Sequence, residues 1–381
     1  MKRHQSGSLI VFVSVVGFLA FFPWFAVEAA DLSVAGEIIS TAGGFRFPDG
    51  SLQQKASNAP YLIVPDDTPD IRAAVASLTS GGTVFVRAQG SCYLLDDMIH
   101  INRSGVSLVG EQGACLRLND NVNKPVILIG SSASTVDPAD RIFDIRVSGF
   151  VIDGNKDNQT QEGAVGLPNV QNNAIGVRGA ERIYLSRLSL TNARSGGLVI
   201  SQQASKVFVD SVVFAGNFFD GLAVDGGHEI LVEHFIAEDN GFSGVSIDTG
   251  SSRLQIRDGT IQKNGDNGVF IRFTRESHLA ELTITDNCNF GVFASHVVPL
   301  GNEGLVEVTF SELSIFRNAA AGFSFATTAD DGSVDNFLTN SRVAGNSGGE
   351  ILGINSGITE AGNVIPTSFR ATGPTNRTCP P

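Results

Sequence analysis

Four segments decide the fold: NFFDGLAVD at 217–225, NGFSGVSID at 240–248, NGDNGVFIR at 264–272 and NCNFGVFAS at 287–295. Each runs Asn, three residues, Gly, then an apolar residue, any residue and a second apolar residue. The Asn positions, Asn217, Asn240, Asn264 and Asn287, lie 23, 24 and 23 residues apart. A period of this length marks a solenoid, in which each repeat buries its core by stacking on its neighbours. Side chains alternate along a strand, so Leu222 and Val224, Val245 and Ile247, Val269 and Ile271, Val292 and Ala294 point inward. Further apolar alternations follow in each period, near Ile230 or Leu254 for example, giving three short strands and no helix. A leucine-rich repeat template also fits Val209-x-x-Val212-x-Phe214-x-x-Asn217. There, however, the Asn would lead into a helix or an arc, not a second apolar alternation. The reading is an all-β parallel solenoid. The Asn and Gly residues read as turn-makers that tolerate left-handed backbone, and stacked Asn side chains can hydrogen-bond up the column. One coil earlier, Ala193 occupies the Asn place. The 26 Phe are expected to form interior stacks.

Upstream, DDTPDIRAAVASL (66–78) reads as a helix. Thr68 is placed as its N-cap, Pro69 at the first position and Gly81-Gly82 at its stop. Ile71, Ala74, Val75 and Leu78 form one apolar face, suited to covering an open solenoid end. Strands follow at 82–86, 93–95, 106–109 and 115–118. The helix, the GGTVFV strand, the series ending in LVGE and the Asn-x-x-x-Gly repeats together resemble the pectate-lyase-like superfamily of secreted bacterial type. The resemblance covers about residues 66–365. It implies a right-handed parallel β-helix with an N-terminal capping α-helix, an architecture shared by unrelated functions. It transfers no catalytic residue: the NTD, Asp-Asp and GHG set of polygalacturonases and the DPHD of alginate epimerases are missing. Arg272-x-x-Arg275 is a faint echo of the Arg-rich strands of pectate lyases.

The ends read differently. Residues 1–29 carry a basic start, a long apolar run and small residues at Ala29 and Ala30, the pattern of a secretory signal peptide. The chain is therefore expected outside the cytoplasm: secreted, periplasmic or on the cell surface, with no membrane span once the signal is cleaved. Residues 30–58 hold GGFRFPDG, an element similar to one near the start of many secreted bacterial and phage-tail-type proteins. Residues 59–365 form the solenoid, with its last weak coil ending near Asn346, and 366–381 an irregular tail. Cleavage would remove Lys2, Arg3 and Glu28, moving the formal charge from −13 to −13 − 2 + 1 = −14. That balance disfavours nucleic acid and anionic lipid as partners. Cys92 and Cys115 are 23 residues apart, one repeat. Side by side on adjacent coils they would sit about 4.8 Å apart, within disulfide reach. Cys288 would then pair with Cys379.

The residue after the second inward position points outward on every coil. Up the stack these are Arg178, Ser201, Asp225, Asp248, Arg272 and Ser295. The neighbouring outward column holds Ala223, Ser246, Phe270 and Phe293. Adjacent carboxylates repel unless they share a proton, a cation or a basic partner. Asp225, Asp248 and Arg272 are thus the candidate catalytic set. Phe270, Phe293, His296 and Arg178 are the candidate substrate contacts, with the rings stacking on a sugar. Such a set suits hydrolysis, or elimination or epimerisation at a uronate. A Ca2+ could bridge Asp225 and Asp248, although two carboxylates are few ligands for that ion; no other cofactor is expected. His228 reads as a solvated turn residue, and His234 and His278 have no charged partner that the sequence places. The expected partner is a polysaccharide or cell-surface glycan. Two insertions, 156–172 and 296–304, flank this region, and solenoid insertions map to loops on the binding face. The competing functional class is a non-catalytic surface or structural β-helix, an adhesin or a tail-type protein, on which Asp-Asp-Arg is an inert ion-pair ladder.

Overall fold

A computed structural model describes residues 60–295, 304–326, 332–353, 357–365 and Cys379, together with two short strands near the N-terminus. Those two, Phe45–Arg46 and Leu52–Gln53, pair antiparallel in a separate unit spanning Met1–Asn58. The signal segment and the tail lie otherwise outside the described residues. No helix among the described residues is long and apolar enough to cross a membrane.

From Ala59 onward the chain is a parallel solenoid built of two sheets. A ten-stranded sheet stacks the short strands, from Ile99–Ile101 through Ile127–Gly130, Ile175–Arg178 and Leu198–Ser201 to Ile351–Leu352. A fifteen-stranded sheet stacks the rest. The repeat thus holds one strand of four residues and one of eleven or twelve, such as Ser205–Ala215 and Ser251–Gln262. The expected second and third strands are joined because a single residue turns the corner between them. Arg187, Ser211, His234, Asp258 and Glu281 occupy that corner, all with φ between 51° and 57°.

These corners correct the expected role of Asn and Gly. Asn217, Asn240, Asn264 and Asn287 do not take left-handed backbone; the residues before them do, Gly216 (φ 65°), Asp239 (54°), Lys263 (56°) and Asp286 (58°). The Asn side chains are instead buried at 0–1% exposure and bonded up the axis. Asn264 donates from Nδ2 to Asn287 Oδ1 at 2.9 Å and to Ala237 O at 3.1 Å. Its Oδ1 accepts from Asn240 N at 3.2 Å and from Asn240 Nδ2 at 3.0 Å. Both donors and both lone pairs of the amide are satisfied, which is what allows it to be buried. The ladder continues through Asn318 to Asn346. It begins where Ala193 N donates to Asn217 Oδ1 and ends where Asn346 Nδ2 donates to Glu350 Oε2 at 2.8 Å. The Gly four residues after each Asn is needed for close approach. A Cβ on Gly268 would lie 2.6 Å from Gly291 O and 2.9 Å from Asn287 Nδ2.

All eight inward residues of the quoted segments are buried at 0–1%. The core is mostly Val, Ile and Leu. Only six Phe of the described residues belong to it: Phe150, Phe214, Phe235, Phe310, Phe323 and Phe325. Phe143, Phe208, Phe242 and Phe337 are exposed, contrary to the expected interior stacks. β-Branched and Leu side chains fill the narrow inter-sheet space, and rings on the outside pack between rungs. The helix is Ile71–Ser77, capped by Asp70, whose side chain accepts from Arg72 N and Ala73 N. Asp70 displaces Thr68 from the cap because it lies next to the first helical residue. Ile71, Ala74, Val75 and Leu78 enter the core, as their spacing requires. Cys92 and Cys115 are bonded, on strands where Tyr93 pairs with Leu116, and Cys288 is bonded to Cys379. Coiling passes Asn346: Ile358–Ala361 still pairs with Asn336–Thr339.

Candidate functional site

The outer face of the short sheet carries the outward columns. Arg178, Ser201, Asp225 and Asp248 are consecutive partners in register, as are Arg272 and Ser295. Asp248 and Arg272 are joined by an ion pair, Nε to Oδ2 at 2.6 Å. Asp248 Oδ1 accepts from the Thr249 amide at 2.7 Å, so both of its oxygens are engaged. Asp225, one rung away and exposed, accepts no side-chain hydrogen bond from a described residue. The Asp248 carboxylate first, and Asp225 second, raise the Arg272 guanidinium above its ordinary pKa.

The neighbouring column turns from small to aromatic along the axis: Ala223, Ser246, Phe270, Phe293. Phe270 and Phe293 have centroids 6.0 Å apart, and Phe290 stacks on Phe293 at 4.9 Å and 16°. Arg272 Cζ lies 5.4 Å from the Phe270 centroid. Both rings are half-buried. The guanidinium therefore touches a carboxylate on one side and a ring on the other, and its position is fixed.

Two of the named contacts stand apart from this cluster. Arg178 is only 5% exposed. Its Nε donates to Ser131 O at 3.1 Å, its Nη2 to Ala133 O at 2.7 Å and its Nη1 to Asn169 O. The guanidinium holds loops to the sheet and faces no open surface. His296, with the second insertion through residue 303, lies outside the described residues. The first insertion covers the start of the face: Ala164 and Val170 pack on Leu128, which is fully buried. The face opens at Leu198–Ser201, where Val199 is half-buried, and continues through five strands to Val292–Ser295; on the next strand, Phe323–Phe325, the outward Ser324 is only 7% exposed. At strand spacing the open strip is about 19 Å long.

Other groups escaped the sequence reading. Asp220 and Asp266 lie on the turns that lead into the short strands. Asp220 Oδ1 accepts from Ser243 N at 2.9 Å. Its side chain keeps a window to solvent, yet surrounding protein disfavours the charge strongly enough, with Asp266 adding to it, to push its pKa up to about 7. Asp266 holds Asn289 at 2.8 Å and Asn267 at 2.9 Å. Phe219 and Phe242 stack beside them at 4.4 Å. The repeat hid Asp220 by placing it among the three variable residues after Asn. His234, without an evident partner in the sequence, sits between Asp210 (2.7 Å) and Asp258 (3.2 Å). The signal existed: the three positions are each 24 residues apart.

The Asp248–Arg272 pair has counterparts across the molecule. Arg182 meets Asp144 at 2.6 Å, Arg257 meets Glu233 at 2.6 Å and Arg317 meets Asp286 at 2.7 Å. Cross-rung pairing is a general habit of this solenoid. Rings accompany two of these pairs as well, Phe143 at 4.8 Å from Arg182 and Phe316 at 4.7 Å from Arg317; the short-sheet pair differs by the open carboxylate of Asp225 on the next rung.

The comparisons agree on architecture. The family model described as "Right handed beta helix region" matches residues 127–271 and 173–365. No curated protein matches the sequence. Among solved structures, the A-module of mannuronan C-5 epimerase AlgE4 from Azotobacter vinelandii superposes with a TM-score of 0.57 at 18% identity, over 81% of this chain and 93% of that one. The surface protein and adhesin PfbA of Streptococcus pneumoniae gives 0.59 at 12% identity, over 77% and 86%. ORF18 of Geobacillus virus E2 gives 0.58 at 13% identity over 79% of this chain, which spans 58% of that protein. At these identities the likeness is one of fold.

Proposed function

For a chain that belongs to the right-handed β-helix family, we propose an exported protein that binds a polysaccharide along the outer face of its short sheet. One observation carries this reading. A fixed ring pair, Phe270 and Phe293, sits beside Arg272 and Asp248, with the open carboxylate of Asp225 on the next rung. Rings give a flat apolar contact for the C–H face of a pyranose, and the charged column gives hydrogen bonds along its rim. In-register stacking repeats the contact at one spacing, which suits a ligand that is itself a repeat. Solved β-helices of similar shape include one named an epimerase of mannuronan and one named an adhesin, so both processing and adhesion fit the scaffold.

A second reading, catalysis, is favoured by Asp220. A carboxyl with its pKa pushed up to about 7, with the Asp266 carboxylate contributing to the rise, offers a group able to give or take a proton near neutral pH at one edge of the strip. The test separates the two. Binding to acidic and neutral polysaccharides is measured by affinity electrophoresis, and turnover by reducing ends and by the absorbance of unsaturated uronates. Binding weakened by Phe293→Ala and unaccompanied by turnover supports the adhesive reading. Turnover abolished by Asp220→Asn supports the catalytic one. No binding to any polysaccharide in the panel would sink both.

A further inference from the structure

The long sheet has one stretch of outer face unlike the rest. Along a single outward column the side chains are Arg146, Tyr184, Phe208, Leu231, Gln255 and His278, in register. Tyr184 and Phe208 stack with centroids 5.2 Å apart and planes 6° from parallel. They remain 47% and 40% exposed. A hollow of about 410 Å³ opens beside them, lined by Arg146, Tyr184, Leu185, Ser186, Phe208 and Asp210. Arg146 is exposed and forms no ion pair with a described residue. Asp210 has Oδ1 on His234 Nδ1 at 2.7 Å, and its Oδ2 meets no donor among the described residues. The Ser186 hydroxyl lies between them in sequence register, one strand from Asp210.

We propose that this hollow is a saccharide site for a neutral hexopyranose unit, on a different face from the short-sheet strip and independent of how that strip is read. A pyranose has an apolar C–H face that packs on aromatic carbon and a rim of hydroxyls that both donate and accept. The lining asks for both: Arg146 only donates, and ionised Asp210 only accepts. Adjacent hydroxyls of one sugar answer the two at once. A carboxylate-bearing sugar would answer Arg146 but meet Asp210 with like charge. The surroundings point the same way. The lining charges of Arg146 and Asp210 cancel, Glu233 is held by Arg257 at 2.6 Å, and the chain as a whole carries −13. The platform is preorganised. Ile183, Leu185, Val207 and Val209, which flank the rings in sequence, are buried at 0–1%, so the rings stand on a fixed sheet and little ordering is lost on binding.

Saturation-transfer NMR on the full chain tests this with maltotriose, cellotriose and mannotriose as neutral probes and trigalacturonate as the anionic control. At least one neutral trimer should receive saturation from aromatic protons. Tyr184→Ala should weaken that binding by about tenfold or more, and Tyr184→Phe should retain it. Arg146→Gln should weaken it, while Phe337→Ala, an exposed ring elsewhere on the long sheet, should leave it unchanged. An unaltered melting temperature in Tyr184→Ala excludes misfolding as the cause. The proposal is overturned if none of the neutral trimers binds the wild-type chain, if Tyr184→Ala binds as well as wild type, or if trigalacturonate is preferred. Binding lost only in Phe293→Ala would also overturn it, leaving the short-sheet reading intact.

Discussion

Two columns climb this solenoid at the same 23- and 24-residue steps, and they behave as opposites. The Asn column is uniform, buried and complete in its hydrogen bonds. The column of Ser201, Asp225, Asp248 and Arg272 changes chemistry at nearly every rung and faces out. A buried rung answers only to its neighbours above and below, so one residue type serves every level. A surface rung has no such demand, so its residue type is open to other requirements. Uniformity along an axis therefore reports self-satisfaction, and heterogeneity marks where an outside ligand has room to act.

The largest loss is expected for Asn264→Ala. It leaves the Asn240 backbone N–H without its acceptor in the interior, removes one bond each from Asn240 Nδ2, Ala237 O and Asn287 Oδ1, and should cost about 3–5 kcal/mol in chemical denaturation. Gly268→Ala follows. Its Cβ would press on Gly291 O and Asn287 Nδ2, and a loss of about 1–3 kcal/mol is expected by the same measurement.

Asp220 sharpens the contrast through pH. Its folded pKa is raised from 3.8 to about 7, so the folded chain holds that proton more tightly than the unfolded one. The associated stability is complete below 3.8 and is lost as pH rises through about 7. Melting curves taken between about pH 4 and pH 8 should fall in wild type and flatten in Asp220→Asn. A parallel fall in both would show that Asp220 does not govern it. The smallest effect is expected for Asp248→Ala, because Arg272 is substantially exposed. Its stability cost should stay under about 1 kcal/mol while affinity for a bound glycan falls. A cost as large as that of Asn264→Ala would make the two columns alike.

Much of the fold was legible because its signal is periodic. Gly-apolar-x-apolar set the short strands, and the outward columns follow by counting from Leu222 and Val224. The corners were not legible by residue type. Left-handed backbone falls on Arg187, Ser211, His234, Asp258 and Glu281, chosen by position in the stack and tolerated because each points into solvent. The candidate site was half legible. Register placed Asp225 beside Asp248, and spacing placed Arg272 above them. Exposure was not readable: Arg178 shares their column but is covered by loops that register cannot see. Aromatic count misled for a related reason, since a Phe facing outward looks in sequence like a Phe facing in.

Glu350 interrupts the repeat where a Gly would stand, and its place has an electrical meaning. Every amide in the Asn column points its N–H the same way, from Asn217 toward Asn346. Aligned amide dipoles sum along a line, as they do along a helix axis, leaving partial positive charge at the donor end. The last donor, Asn346 Nδ2, meets the Glu350 carboxylate, which also accepts from Gly345 N at 2.8 Å. The column is thus a polarised wire with an anion at its positive terminus.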